Sequence, residues 1–157
     1  MPDPRYATVY VRTQVRVFLC LFRVEDNFQN RAYYLLDEAL TWTEARAKCS
    51  TNNAGYLAMA NSAEHFTFLK GMFDNYRSQG GSAEGAWVNG VYEYSRWLCH
   101  DYIYGLEAAC PSVMPWTSGE PDNLPTEKCA RVQHTKTDGL ANYACTEKMP
   151  AICATFR

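Results

Sequence analysis

Three carboxylates, Glu120, Asp122 and Glu127, fall within eight residues of a stretch that also holds Pro121 and Pro125. Like charges at that density repel one another unless a cation neutralises them. Hard oxygen donors on an irregular loop suit calcium, which takes roughly six to eight ligands without strict geometry. Zinc suits the stretch poorly, because no histidine adjoins it in sequence and only folding could bring His100 or His134 near. The alternating acids and glycine of an EF-hand are absent. A solvated loop face is the plain alternative. Glu120 and Glu127 could in principle flank a glycosidic bond, but nothing in the sequence places either in the apolar surroundings a catalytic acid needs. The histidines at 65, 100 and 134 are isolated and read as structural. No Gly-x-Ser-x-Gly elbow and no Cys/His nucleophile pair is visible, so the expectation is a binding protein rather than an enzyme.

The rest of the chain must hold that loop. At 157 residues it can build one sizeable core. Apolar residues at 47% against 20% charged exclude disorder. The longest apolar run, residues 17–22, is too short to span a membrane. A net charge of -2 offers no basic field to nucleic acid. Seven cysteines stand at 20, 49, 99, 110, 129, 145 and 153, none as Cys-x-x-Cys. Their density predicts disulfides and a secreted, extracellular setting. Sequence arithmetic leaves the pairing open, with one cysteine left over. Met1 to Tyr6, with Asp3, Pro2 and Pro4, read poorly as the leader such a setting requires.

Periodicity supplies the elements. Residues 9–21 alternate apolar and polar and predict a strand; Glu25-Asp26-Asn27 predicts a turn, and residues 32–36 a second strand of a hairpin. Thr41-x-x-Glu44 is a capping box that opens a helix with Trp42, Ala45 and Cys49 on one stripe. Gly55 ends that segment, and residues 56–59 read as a short strand. Asn61-Ser62-Ala63-Glu64 starts a second helix with Phe66, Leu69, Phe73 and Tyr76 inward and Phe68 and Met72 beside them. Strands are predicted at 86–91, 128–133, 143–146 and 150–155. Residues 99–126, rich in proline and glycine, read as a long loop that is pinned or binds something. The class is α+β, divided into an N-terminal extension, 1–28, and a domain over 29–157.

The combination Trp42-x-x-Ala45-x-x-x-Cys49, Leu57-Ala58, Trp87-Val88-Asn89-Gly90, Trp116-x-x-Gly119-Glu120-Pro121, Cys129, Cys145 and Pro150-Ala151-Ile152-Cys153 resembles the C-type lectin-like domain family. The resemblance covers about residues 33–156. It implies two helices on small antiparallel sheets with a long ligand-binding loop region. It implies the disulfides Cys49–Cys153 and Cys129–Cys145; Cys99 and Cys110, outside that pattern, would bridge each other, and Cys20 is left free, intermolecular in an oligomer, or outside the mature protein. It also implies a calcium site made by Glu120, Asp122, Glu127 and Asn142, the same residues binding the sugar hydroxyls that complete the metal's shell, with Pro121 in cis. Leu140-Ala141-Asn142 stands where the family has Trp-Asn-Asp, so Ala141 supplies no side-chain oxygen and the site is expected to be weak. Glu120 and Asp122 are both acceptors, which leaves the sugar unread. Trp116 or Tyr143 could stack on a sugar face. The function expected from the resemblance is calcium-dependent carbohydrate binding. The other readings are a domain of this fold that binds a protein partner without calcium, and a structural protein at a mineral or ice surface.

Overall fold

The computed structural model describes residues 21–26, 31–51, 55–101, 106–111 and 114–156. Nine strands and two helices follow in the order β1 (Leu21–Asp26), β2 (Arg31–Leu40), α1 (Trp42–Thr51), β3 (Tyr56–Leu57), α2 (Ala63–Ser78), β4 (Gly85–Glu93), β5 (Arg96–Asp101), β6 (Leu106–Ala109), β7 (Cys129–Gln133), β8 (Ala141–Tyr143) and β9 (Met149–Phe156). The main path of the sheet runs β1-β2-β9-β4-β5-β6; β3 also pairs β9, and β7 pairs both β4 and β8. Every pairing is antiparallel except β4 with β9, which meet in parallel at Trp87 and Ala151. The α+β architecture predicted from the sequence is therefore the one that forms.

Both faces of β2 are buried, and its side chains alternate between two cores. Tyr33 and Leu35 face the core that α2 covers with Phe66, Leu69, Met72, Phe73 and Tyr76. Tyr34 and Leu36 face the one that α1 covers with Trp42, Ala45 and Cys49. A strand covered on both sides reads as a continuous apolar run, which is what residues 32–36 show. The predicted helical stripes are the buried ones. At the start of α1 the capping box closes both ways: Glu44 N–H donates to Thr41 Oγ1 at 3.2 Å, and Thr41 N–H donates to Glu44 Oε2 at 2.8 Å. Ser62 caps α2 by accepting from the His65 N–H at 3.0 Å. His65 itself is buried between Tyr33 and Asn61, hydrogen-bonded to both, which fits the structural role read for it. Indole donors tie the layers: Trp87 Nε1 to Leu40 O at 2.8 Å and Trp42 Nε1 to Val88 O at 3.0 Å.

Three disulfides join Cys49–Cys153 and Cys129–Cys145, the two pairs the family resemblance implied, and Cys99–Cys110, the extra bridge expected outside that pattern. Cys20 lies outside the described residues.

Several boundaries differ from the sequence reading. The alternating stretch 9–20 lies outside the described residues. Glu25 and Asp26, read as a turn, belong to β1 because six residue pairs with β2 extend through them. Residues 58 and 59 fall outside β3, and β8 ends at Tyr143 rather than beginning there. The loop expected over 99–126 is in part a hairpin: β5 pairs β6 from Leu98–Ala109 to Asp101–Leu106, and the Cys99–Cys110 bridge closes it. Cross-strand pairing creates such short strands, and they leave no periodic trace in one sequence.

Candidate functional site

The carboxylate loop hangs between β6 and β7 and is fastened at both ends to the β7–β8 ribbon. Thr117 N–H donates to Leu140 O at 2.9 Å and Leu140 N–H to Pro115 O at 2.7 Å, while Trp116 and Leu140 form an isolated bridge. Thr117 Oγ1 also donates to Asp138 Oδ1. The chains pass so closely that a Cβ on Gly139 would stand 2.3 Å from the Thr117 nitrogen, so only glycine fits there. Glu120 N–H then donates to Thr117 O at 3.0 Å to close a turn through Gly119, whose φ of 84° suits glycine. The Glu120–Pro121 bond is cis as the resemblance implied, and Leu124–Pro125 is cis as well. A further turn brings the Thr126 N–H at 2.9 Å and the Glu127 N–H at 3.2 Å onto Asn123 O.

Asn142, on β8, clamps the middle of the loop. Its side chain is buried, at 2% exposure. Oδ1 accepts from the Asp122 N–H at 3.0 Å, and Nδ2 donates to Asp122 O at 2.5 Å and Glu127 O at 2.6 Å. The amide thus satisfies one backbone donor and two backbone acceptors that the loop would otherwise leave unpaired. Asn142 N–H reaches Glu120 Oε2 only at 3.5 Å, a long contact. Sequence reasoning weighed Asn142 as a ligand and missed its use as a clamp.

The three carboxylates share one field. Burial is the first cause that raises the Glu127 carboxyl above its ordinary value, with the charges of Asp122 and then Glu120 adding to it; Asn123 and Arg131 act in the opposite direction. That raised affinity for a proton is what a cluster short of positive charge shows. Glu120 and Glu127 are half-buried and Asp122 is exposed, so all three reach solvent. In charge and donor type the cluster fits a hard cation. Its geometry fits less fully. Among the described residues no three His, Cys, Asp or Glu side chains draw together into a metal-holding group, and Ala141, fully buried, adds no donor. His134 is exposed and carries no part of the cluster.

The two aromatics considered for stacking have other neighbours. Trp116 leans on Trp97, with ring centroids 4.6 Å apart, and on the α2-side core. Tyr143 has the Arg131 guanidinium 3.6 Å from its ring centroid. Arg131 was missed in the sequence, although an arginine two residues after Cys129, on the same parity of a short strand, was the signal. A separate cleft of about 330 Å³ lies between α1 and β3 and is lined by Thr43, Arg46, Ser50, Gly55 and Asn89 among others; none of its lining residues belongs to the loop.

Residues 38–155 match the family model of the lectin C-type domain. The chain belongs to that family. This C-type lectin domain is 24% identical over 132 residues to the C-type mannose receptor 2 of Mus musculus and, equally, of Rattus norvegicus. The match takes in 82% of this chain but 8% of the receptor, so the domain spans a small part of the curated relatives it matches. Among solved structures, human lithostathine superposes with a TM-score of 0.68 at 18% identity, covering 84% of this chain and 96% of that one. The mouse scavenger receptor C-type lectin carbohydrate-recognition domain gives 0.59 at 23%, covering 84% and 93%. A calcium-independent type II antifreeze protein gives 0.62 at 21%, covering 83% and 90%. At these identities the likeness concerns the fold. The fold is thus shared by proteins titled as carbohydrate-recognising and by one titled as independent of calcium. Three disulfides accord with an oxidising, extracellular environment. No helix among the described residues is long and apolar enough to cross a membrane.

Proposed function

We propose that this C-type lectin domain is secreted and binds a carbohydrate through the loop of residues 119–127, with calcium as the shared partner of protein and sugar. The observation that carries the reading is the loop itself: Glu120, Asp122 and Glu127 all reach solvent around a cis Glu120–Pro121 bond, on a backbone that Asn142 hydrogen bonds hold in one shape. Glu120, Asp122 and Glu127 would hold the ion, with Asn142 contributing what its clamped amide leaves available. Calcium, when bound, supplies open coordination places that adjacent sugar hydroxyls can fill. The protein's part is orientation: Asn142 fixes the backbone of Asp122 and Glu127, so the carboxylates need not be ordered on binding. Carboxylate oxygens also accept hydrogen bonds from sugar hydroxyls, and with two acceptors at 120 and 122 the loop favours ligands that donate from both.

A glycan array with calcium and with chelator tests this. Calcium-dependent retention, abolished in Glu120→Gln, is expected. Retention that ignores the chelator excludes the calcium step. A second reading, binding of a protein partner without calcium, is favoured by one pair of observations. Ala141 offers no ligand, and the Asn142 side chain is already tied to the loop backbone. A blank array together with capture of a defined partner in chelator selects it.

A further inference from the structure

Three aromatic rings meet where the β4–β5 hairpin adjoins the carboxylate loop. Tyr92 and Trp97 stand directly across from each other with ring centroids 5.6 Å apart, and Trp97 lies 4.6 Å from Trp116. All three are half-buried, so part of each reaches solvent. The ring planes are tilted by 56° and 50°, so neither pair is stacked and the ring faces are not spent on each other.

The rings bridge the two stems of the loop. Trp116 precedes Thr117, whose carbonyl holds the Glu120 N–H at 3.0 Å; at the other end the Tyr92 N–H donates to Lys128 O at 2.7 Å, beside Glu127. They also share the loop's side of the sheet. A Cβ on Gly90 would stand 3.0 Å from Ala130 Cβ and 3.6 Å from Trp97 Cε3, so Trp97 covers the face that Ala130 leaves. Ala130 pairs directly with Asn142, which leaves that same face to clamp the loop.

Tyr94, at the hairpin tip, is 83% exposed. Tyr94 and Ser95 form a two-residue turn between Glu93 and Arg96, with φ of 52° and 60°. Asn-Gly ordinarily fills such a turn, because other residues are strained at positive φ. A strained tyrosine that buries so little of its ring gains little from packing, and strain kept without that return points to function.

We infer that Tyr92, Trp97 and Trp116, with Tyr94 at their outer edge, form a platform for a second sugar, so that the ligand is an oligosaccharide rather than one terminal residue. The inference deepens the carbohydrate reading above and rests on it for the sugar held at the calcium. The residue next to that sugar lays its apolar ring face on the aromatics, which gain contact area without the ordering cost of long flexible side chains. A stable protein interface takes roughly 20–30 residues a side, far more than these four aromatics supply, which favours the smaller occupant.

The test is a glycan array probed with the whole chain in calcium and in chelator, each terminal sugar displayed alone and extended by one and by two residues. Extended forms of a retained sugar should bind roughly tenfold more tightly than the single residue, the gain expected from one apolar face on aromatic rings. Trp97→Ala should bring that ratio towards one. Should that variant not fold, Tyr94→Asn carries the test, since asparagine accepts the positive φ and the replaced ring is exposed. Tyr94→Asn should lower the ratio while melting no lower than wild type. A lower melting temperature would give the ring a structural role and overturn the inference. A ratio that Tyr94→Asn leaves unchanged, or a blank array, overturns it as well. Single and extended sugars retained alike, and released by chelator, overturn the platform and leave the calcium reading standing. Extended glycans retained in chelator but lost in Tyr94→Asn support the platform and defeat the calcium step.

Discussion

Asn142 shows how one amide organises the site. Its two donors and one acceptor meet three backbone groups on Asp122 and Glu127. Asn142→Ala leaves those groups unpaired next to a buried strand, at a cost of about 2–3 kcal/mol. Urea titration should show that loss, and hydrogen exchange should show the Asp122 amide losing protection. Glu127 supplies a pH prediction. Its folded-state carboxyl titrates above the ordinary 4.5, so the native state holds the proton more tightly than the unfolded chain. Above that folded value the ionised group opposes folding, and the penalty disappears as the pH falls through it. Stability of the metal-free protein should therefore decline as pH rises upward from about 4.5, weakly because Glu127 is partly solvated. Glu127→Gln should flatten that slope in melts across pH 4–7, an interval set by the direction of the shift. At this scale the acids were legible in the sequence, because a dense run of like charge is a local property. The clamp and the arginine–tyrosine contact were not, because Asn142 bonds backbone 15 and 20 residues away and Arg131 meets Tyr143 on the neighbouring strand.

At the scale of elements, local signals did best where they were chemical. The Thr41/Glu44 box predicted the start of α1, since its reciprocal bonds need only four consecutive residues. Thr41→Ala should cost about 1 kcal/mol in equilibrium unfolding. The β7–β8 ribbon was harder to read. Three residues of β8 have no period to detect, and the strand exists because Cys129, Ala130 and Arg131 pair with Tyr143, Asn142 and Ala141. β6 is the same case: Gly105 and Pro111 surround it with turn signals, while pairing to β5 and the Cys99–Cys110 bridge hold it as a strand. The ribbon's register matters beyond its own stability. It sets Asn142 toward the loop and Ala141 opposite Arg131, so a shift of one residue would exchange clamp and vacancy.

The whole molecule is a sheet covered on both faces, with its two cores meeting along β2, β4 and β9. Cys49–Cys153 locks α1 to β9 across 104 residues of chain. Replacing both cysteines by alanine should remove about 4–5 kcal/mol, by the chain-entropy estimate for a loop of that length. Guanidinium titration measures it, and a loss well under 1 kcal/mol would show that the α1–β9 packing suffices alone. The carboxylate loop should lose order in that variant only as the whole domain unfolds, because its fastenings run to β8 and not to α1.

By itself the sequence determined the α+β class, the two helices with their buried stripes, and the acidic loop, because periodicity, capping and charge density are written in neighbouring residues. The family resemblance added the pairings Cys49–Cys153 and Cys129–Cys145, which spacing left open. Only the tertiary structure decided which side chains converge: that Asn142 binds the loop's backbone, that Ala141 faces Arg131, and that Tyr143 carries the guanidinium. These depend on strand register and on the through-space reach of charge, and neither is encoded in the order of residues along a single strand.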